Sequence, residues 1–186
     1  MIARFASVLL LVLACAAPAS GTTVFYAGLE DLTRTSALVF HGRVDSVATR
    51  NLGTDSAPRI VTETTFAVTR VLKGVTPGPS ITVRQVGGTW NGKTLRIPGQ
   101  PAFEAGEEVV IFLEWIGSQY VVCGMSQGVY RITRNAEGHA VARRNLGDLF
   151  IVRKAVKGRP EVTTPPPVEQ DVRLDELLQR IRDTAR

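Results

Sequence analysis

The chain has 186 residues, with 22 Lys and Arg against 17 Asp and Glu, a net charge of +5 and only two cysteines. That length suffices for one domain with a hydrophobic core plus appendages. The basic residues are scattered rather than gathered into a stripe with interleaved aromatics, which speaks against a nucleic-acid-binding protein, and two cysteines supply no disulfide framework.

Residues 1–21 read as a secretory signal. Arg4 gives the positive start, residues 8–13 the apolar run, and Ala17-Pro18-Ala19 a small-residue cleavage site. The run is too short to span a membrane. Cleavage after Ala19 or after Gly21 fits. Val12-Leu13-Ala14-Cys15 also looks like a lipobox, which makes Cys15 a candidate lipid anchor; otherwise it is a small apolar residue of the signal. Export would place the protein in the periplasm or outside the cell, away from ATP, NADH and most nucleic acid. Once the signal is removed Cys123 is the one remaining thiol, and its apolar setting, Tyr120-Val121-Val122-Cys123, predicts a buried structural role.

After a short helix over 29–35, with leucines three apart and acids in its first turn, strand follows strand to about residue 142. In 38–47 the residues Leu38, Phe40 and Val44 share one face, and His41, Arg43 and Asp45 the other. The stretch 60–72 changes apolar phase near Arg70-Val71, which predicts a bulge. A strand over 81–86 precedes Trp90-Asn91-Gly92-Lys93, a hairpin signal. Residues 109–113 are apolar on both faces and predict the most buried strand, and 129–133 pairs with 139–143 through a turn at 135–138. This pattern predicts a mainly β, antiparallel barrel or sandwich over 22–146. Residues 147–171 read as an extension containing the stiff linker Thr163-Thr164-Pro165-Pro166-Pro167. An amphipathic helix over 172–186 follows, with Asp171 as N-cap and Leu174, Leu177, Leu178 and Ile181 on the face expected to dock on the domain.

Three chemical motifs fail on inspection. Gly87-Gly88-Thr89-Trp90-Asn91-Gly92-Lys93-Thr94 matches the phosphate-loop spacing, but the next residues alternate as a strand and break at Pro98, so no helix N-terminus is there to hold a phosphate. His41 and Asp45 have no serine in a nucleophile elbow beside them and stand too far apart on a strand to bond. His41 and His139 lie in separate segments without metal-ligand spacing. No catalytic residue, metal or cofactor is therefore assigned.

The segments at 35–44, 65–74 (ending Leu72-Lys73-Gly74), 98–113 (with Gly106-Glu107 before the apolar run) and Ser126-Gln127-Gly128 together resemble a pattern of exported bacterial proteins. They are similar to netrin-like domains, the group that includes the tissue inhibitors of metalloproteinases. The resemblance spans about residues 24–134 and implies a small antiparallel OB-like barrel, a scaffold used for binding more than for catalysis. It departs from the inhibitors in having neither their N-terminal metal-chelating cysteine nor their disulfides. The expectation is a non-enzymatic exported module that recognises another exported protein or an envelope component. Its candidate partner-binding residues are Thr22, Thr23, Phe25, Tyr26, His41, Arg43 and Trp90. Two alternatives stay open: a protease-inhibitor-like protein that inserts residues 22–26 into a cleft, and a glycan or single-strand binder using Trp90, Arg84 and Arg96.

Overall fold

A computed structural model describes residues 22–154, 160–163 and 169–186. The signal, Cys15 and the Pro165–Pro167 run lie outside the described residues. In chain order the elements are β1 (Thr22–Phe25), α1 (Leu29–Thr35), β2 (Leu38–Asn51), β3 (Ile60–Lys73), β4 (Ser80–Val86), β5 (Gly88–Trp90), β6 (Lys93–Leu95), β7 (Glu108–Ile116) and β8 (Gln119–Val122). A 3₁₀ turn (Met125–Gly128) then leads to β9 (Val129–Arg134), β10 (Ala140–Arg143), β11 (Leu149–Lys154), β12 (Pro160–Thr163), β13 (Val172–Arg173) and α2 (Leu174–Thr184).

The apolar run of β7 organises the rest. With side chains alternating across the sheet, Val109, Ile111 and Leu113 enter one core layer with Phe40, Phe66 and Phe103. Val110 and Phe112 enter a second layer beneath the helices. All five β7 residues are fully buried, as the sequence predicts. One edge of β7 pairs with β2, and its other edge pairs first with β9 and then with β8. The main sheet runs β13-β10-β9-β7-β2-β3-β4, entirely antiparallel. β4 lies alongside β8 without a ladder between them, so the described strands form no closed barrel.

The helical layer follows from two amphipathic stripes. α1 buries Leu29 and Leu32 and carries Glu30 and Asp31 in its first turn, where the positive helix end favours them. At its other end Lys73 Nζ donates to the carbonyls of Thr33 (2.7 Å) and Arg34 (2.9 Å). The strand-end Lys-Gly pair is thus explained. Lys73 satisfies orphan carbonyls at the helix terminus, and Gly74 lets β3 turn away beneath Ala37. α2 docks on the same layer through Leu177, Leu178 and Ile181, each worth about 1.5–3 kcal/mol of apolar burial.

Three expectations are corrected. The antiparallel barrel does not close, and β1 pairs with β11 in parallel. The extension after residue 146, expected as an appendage to the domain, is part of its fold: β11 and β12 form a three-stranded sheet with β1, over a small core of Leu146, Leu149 and Ile151. Asp171 does not cap α2. Its carboxylate is taken by Arg143, and the helix begins later, after Arg173, without a side-chain cap.

At φ +78° a Cβ on Gly74 would sit 2.3 Å from the Ala37 carbonyl oxygen, whereas at Gly92 (φ +72°) it would meet open space. Gly74→Ala is expected to cost more than about 2 kcal/mol, and Gly92→Ala only about 1 kcal/mol of backbone strain. Urea unfolding of both variants checks this; equal losses would contradict it.

Candidate functional site

Strands β2 and β3 continue well past the region that β7 covers, and the register of this distal part decides what it displays. Asp45 has no partner in β3, so the ladder slips by one residue between Val44 and Ser46. That bulge brings Val47 and Thr49 onto the concave face that Val44 occupies. Across the sheet the rows become Val47–Thr64–Val83 and Thr49–Thr62–Gln85, beyond the apolar row Val44–Phe66–Ile81. The concave face therefore changes from a wholly hydrophobic core to a mixed wall, in which Thr49, Thr62, Thr64 and Gln85 stand among Val47 and Val83.

Opposite this wall stand the β5–β6 hairpin and the loop 96–103. They enclose a cleft of about 560 Å³ whose lining includes Thr49, Thr62, Thr64, Gln85, Phe103 and Ser126. Gly88 sets how close the hairpin comes: at φ +126° a Cβ would lie 2.4 Å from Thr62 Oγ1 and 2.8 Å from Thr49. Thr62 Oγ1 in turn donates to the Gly87 carbonyl at 2.8 Å. Gly87 and Gly88 of the phosphate-loop look-alike thus serve close packing, Gly92 serves the turn, and Lys93 stands on a strand, as the hairpin reading expects.

The loop is held from behind. Thr22 Oγ1 donates to the Pro98 carbonyl at 2.6 Å, Ser126 N–H to the Gly99 carbonyl at 2.9 Å, and Gln85 Nε2 to the Pro101 carbonyl at 3.1 Å. Electrostatically the cleft is balanced: Arg96 pairs with Asp148, and Arg131 with Glu107. On the convex side Glu63 takes Arg50 and Arg84, and these guanidiniums, Arg84 foremost, hold its carboxyl below the usual range against the effect of burial. Thr64 Oγ1 and Ser126 Oγ line the cleft region but are buried, with no hydrogen-bond partner among the described residues. A buried hydroxyl left unpaired costs about 1–3 kcal/mol.

The seven residues singled out from the sequence fall in three separate places. Thr22 braces the cleft loop, while Thr23 and Phe25 face solvent from β1, Phe25 at 65% exposure. Tyr26 belongs to an internal network described below. On β2, His41 Nε2 meets Glu108 Oε1 at 2.7 Å, and Arg43 Nε donates to the Gly106 carbonyl at 3.0 Å, so both are engaged with the start of β7. Trp90 stands on the hairpin but does not line the cleft. Among the described residues no group of three His, Cys, Asp or Glu side chains is placed to hold a metal. Cys123 is buried, with its sulfur 3.4 Å from Thr35 Oγ1. The inward threonines escaped the sequence reading; the signal that could have found them is the alternation of Thr62 and Thr64 in a strand that is otherwise apolar on that face.

Arg144 anchors the back of the molecule with its side chain only 2% exposed. It donates to the Ala27 carbonyl (2.9 Å), Tyr26 Oη (3.1 Å) and Glu169 Oε1 (2.6 Å), and lies 5.5 and 5.2 Å from the ring centroids of Tyr26 and Tyr130. Buried Gln127 adds to this tie, accepting from Ala27 N–H (2.8 Å) and donating to the Phe25 carbonyl (3.0 Å). Together they fix the segment leaving β1.

Comparison with family models, with curated proteins and with solved structures finds no match to this chain.

Burial, more than any neighbouring charge, pushes the Tyr130 phenol up to about 12. Because the folded pKa exceeds the unfolded value near 10, its contribution is complete below about pH 10 and is lost as pH rises through about 12. Between pH 9 and 12 the wild type should lose about 2–3 kcal/mol more than Tyr130→Phe. Denaturant titrations across that range test this, and parallel profiles would refute it.

Proposed function

We propose that the chain is an exported, non-enzymatic binding module, a partly open sheet of OB-like character, that holds an uncharged, hydroxyl-bearing component of the cell envelope in the threonine-lined cleft. The observation that carries this reading is the mixed, largely neutral lining, in which Thr49, Thr62, Thr94, Gln85 and Gln100 stand among aliphatic side chains such as Val47 and Leu95. Hydroxyls and amides both donate and accept hydrogen bonds, as a sugar does. The arginines are already paired, and Phe103 supplies an apolar floor. The volume falls within the usual range of about 300–1,000 Å³ for small-molecule sites. Asp148, the one carboxylate in the lining, is held by Arg96, and neither histidine belongs to the lining, which suits holding a ligand more than moving protons.

The two other readings draw less support. Insertion of residues 22–26 into a protease would have to break the β1–β11 ladder and the Arg144 contact of Tyr26. A single-strand nucleic-acid site would need free cations, whereas Arg84 is committed to Glu63 and Arg96 to Asp148. The netrin-like resemblance fits a binding scaffold and enters this reading only as that.

The test is calorimetric titration of the purified mature protein with chito-oligosaccharides and with solubilised peptidoglycan fragments. Thr94 lines the cleft and is exposed, so Thr94→Trp should obstruct the site without disturbing the core. At least one glycan should bind, and that variant should weaken it by about tenfold or more, whereas Trp115→Ala, outside the cleft, should not. Absence of binding by every glycan, or binding indifferent to Thr94→Trp, would sink the proposal.

A further inference from the structure

We propose that a second groove, distinct from the cleft, binds a doubly charged phosphate group, either free inorganic phosphate or a phosphomonoester. This groove of about 350 Å³ is lined by Arg70, His139, Arg173, Asp175 and Arg182 over the buried Leu178. It is assembled from the irregular end of β3, the start of β10, β13 and the polar side of α2. Arg70 sits between the two points where the β3 ladder skips a residue, Thr69 and Leu72, and opposite His41.

The charge balance of the groove points to an anion. Arg173 forks onto Asp175, with both nitrogen–oxygen distances 3.1 Å. Among the described residues Arg182 Nη2 reaches only a neutral acceptor, the Gln179 amide oxygen at 2.7 Å. Arg70 is exposed and has no hydrogen bond or ion pair among the described residues. Three guanidiniums therefore face the lining carboxylate of Asp175, with Glu137 beside His139 at the rim, and the groove keeps a net positive charge. Of the nearby acids, Glu176 stands 4.0 Å from Arg180 and Asp183 3.8 Å from Arg186, both outside the groove, while Glu137 stands 3.7 Å from His139 at its rim. Planar guanidinium forks match phosphate oxygens in geometry, and a phosphate has oxygens enough to engage Arg70 and Arg182 together.

The test is a ¹H–¹⁵N titration of the full mature protein with inorganic phosphate, sodium chloride holding the ionic strength constant. A parallel arm measures sedimentation with phosphatidylcholine vesicles containing or lacking phosphatidic acid. Saturable shifts centred on Arg70, His139 and Arg173, weakened about tenfold or more in an R70A/R182A variant, would support the site with free phosphate as ligand. Binding only to phosphatidic acid vesicles, lost in the same variant, would support it with a lipid-borne phosphomonoester as ligand. Circular dichroism checks that the variant is folded, and R70K/R182K should recover part of the affinity through charge alone. No response in either arm, shifts that chloride reproduces, or binding unchanged in the double alanine variant would overturn the proposal.

Discussion

β2 and β3 are each fourteen residues long, but β7 covers only the first six residues of β2, Leu38 to Arg43. The cleft follows from this mismatch. The proximal halves are sealed between two apolar layers. Among the described residues the distal halves have no third strand on the β2 side and no helix behind them, so they draw less on apolar burial. Their convex face is held by cross-strand polar contacts, Glu63 with Arg50 and Arg84, and Thr65 with Thr82 at 3.0 Å. Such exposed pairs stabilise modestly. Their concave face is covered at a distance by the β5–β6 hairpin and the loop 96–103, and the space between is the cleft.

The cover is positioned by the small sheet and not by the main one. β1 pairs with β11, and Thr22 on β1 reaches the Pro98 carbonyl. β1 and the segment leaving it are therefore part of the cleft's support, and the Arg144 network holds that segment down. Burying a guanidinium carries a desolvation cost that is offset only by well-formed partners. Arg144 has a carboxylate, a carbonyl, a phenol and two aromatic rings. The chain after residue 146 thus returns to complete the fold, with Glu169 supplying the carboxylate.

Local signals were legible where side-chain period or turn chemistry decides the outcome. The double-faced burial of 109–113, the Asn91-Gly92 hairpin, the short helix at 29–35 and the phase change near Arg70 are all present in the fold. What escaped depends on partners distant in sequence. Four residues at 22–25 carry no mark of a parallel pairing with residues 149–152. Asp171 has the chemistry of an N-cap, yet Arg143 claims it. The one-residue slip at Asp45 is the costliest omission, because without it the inward threonines cannot be told from the outward ones. The seven residues chosen from the sequence were conspicuous for charge, aromaticity or position near a terminus, whereas the cleft is lined mainly by neutral hydroxyls, amides and small apolar groups.

Native-state amide hydrogen exchange tests most directly whether the distal halves of β2 and β3 lie outside the core. Local opening free energies follow the buried apolar contacts of each segment. Residues 39–44 and 109–113 should exchange only through global unfolding, while 46–51, 60–65 and the hairpin 88–95 should open in a separate step of lower free energy. Uniform global protection across both halves would contradict the account.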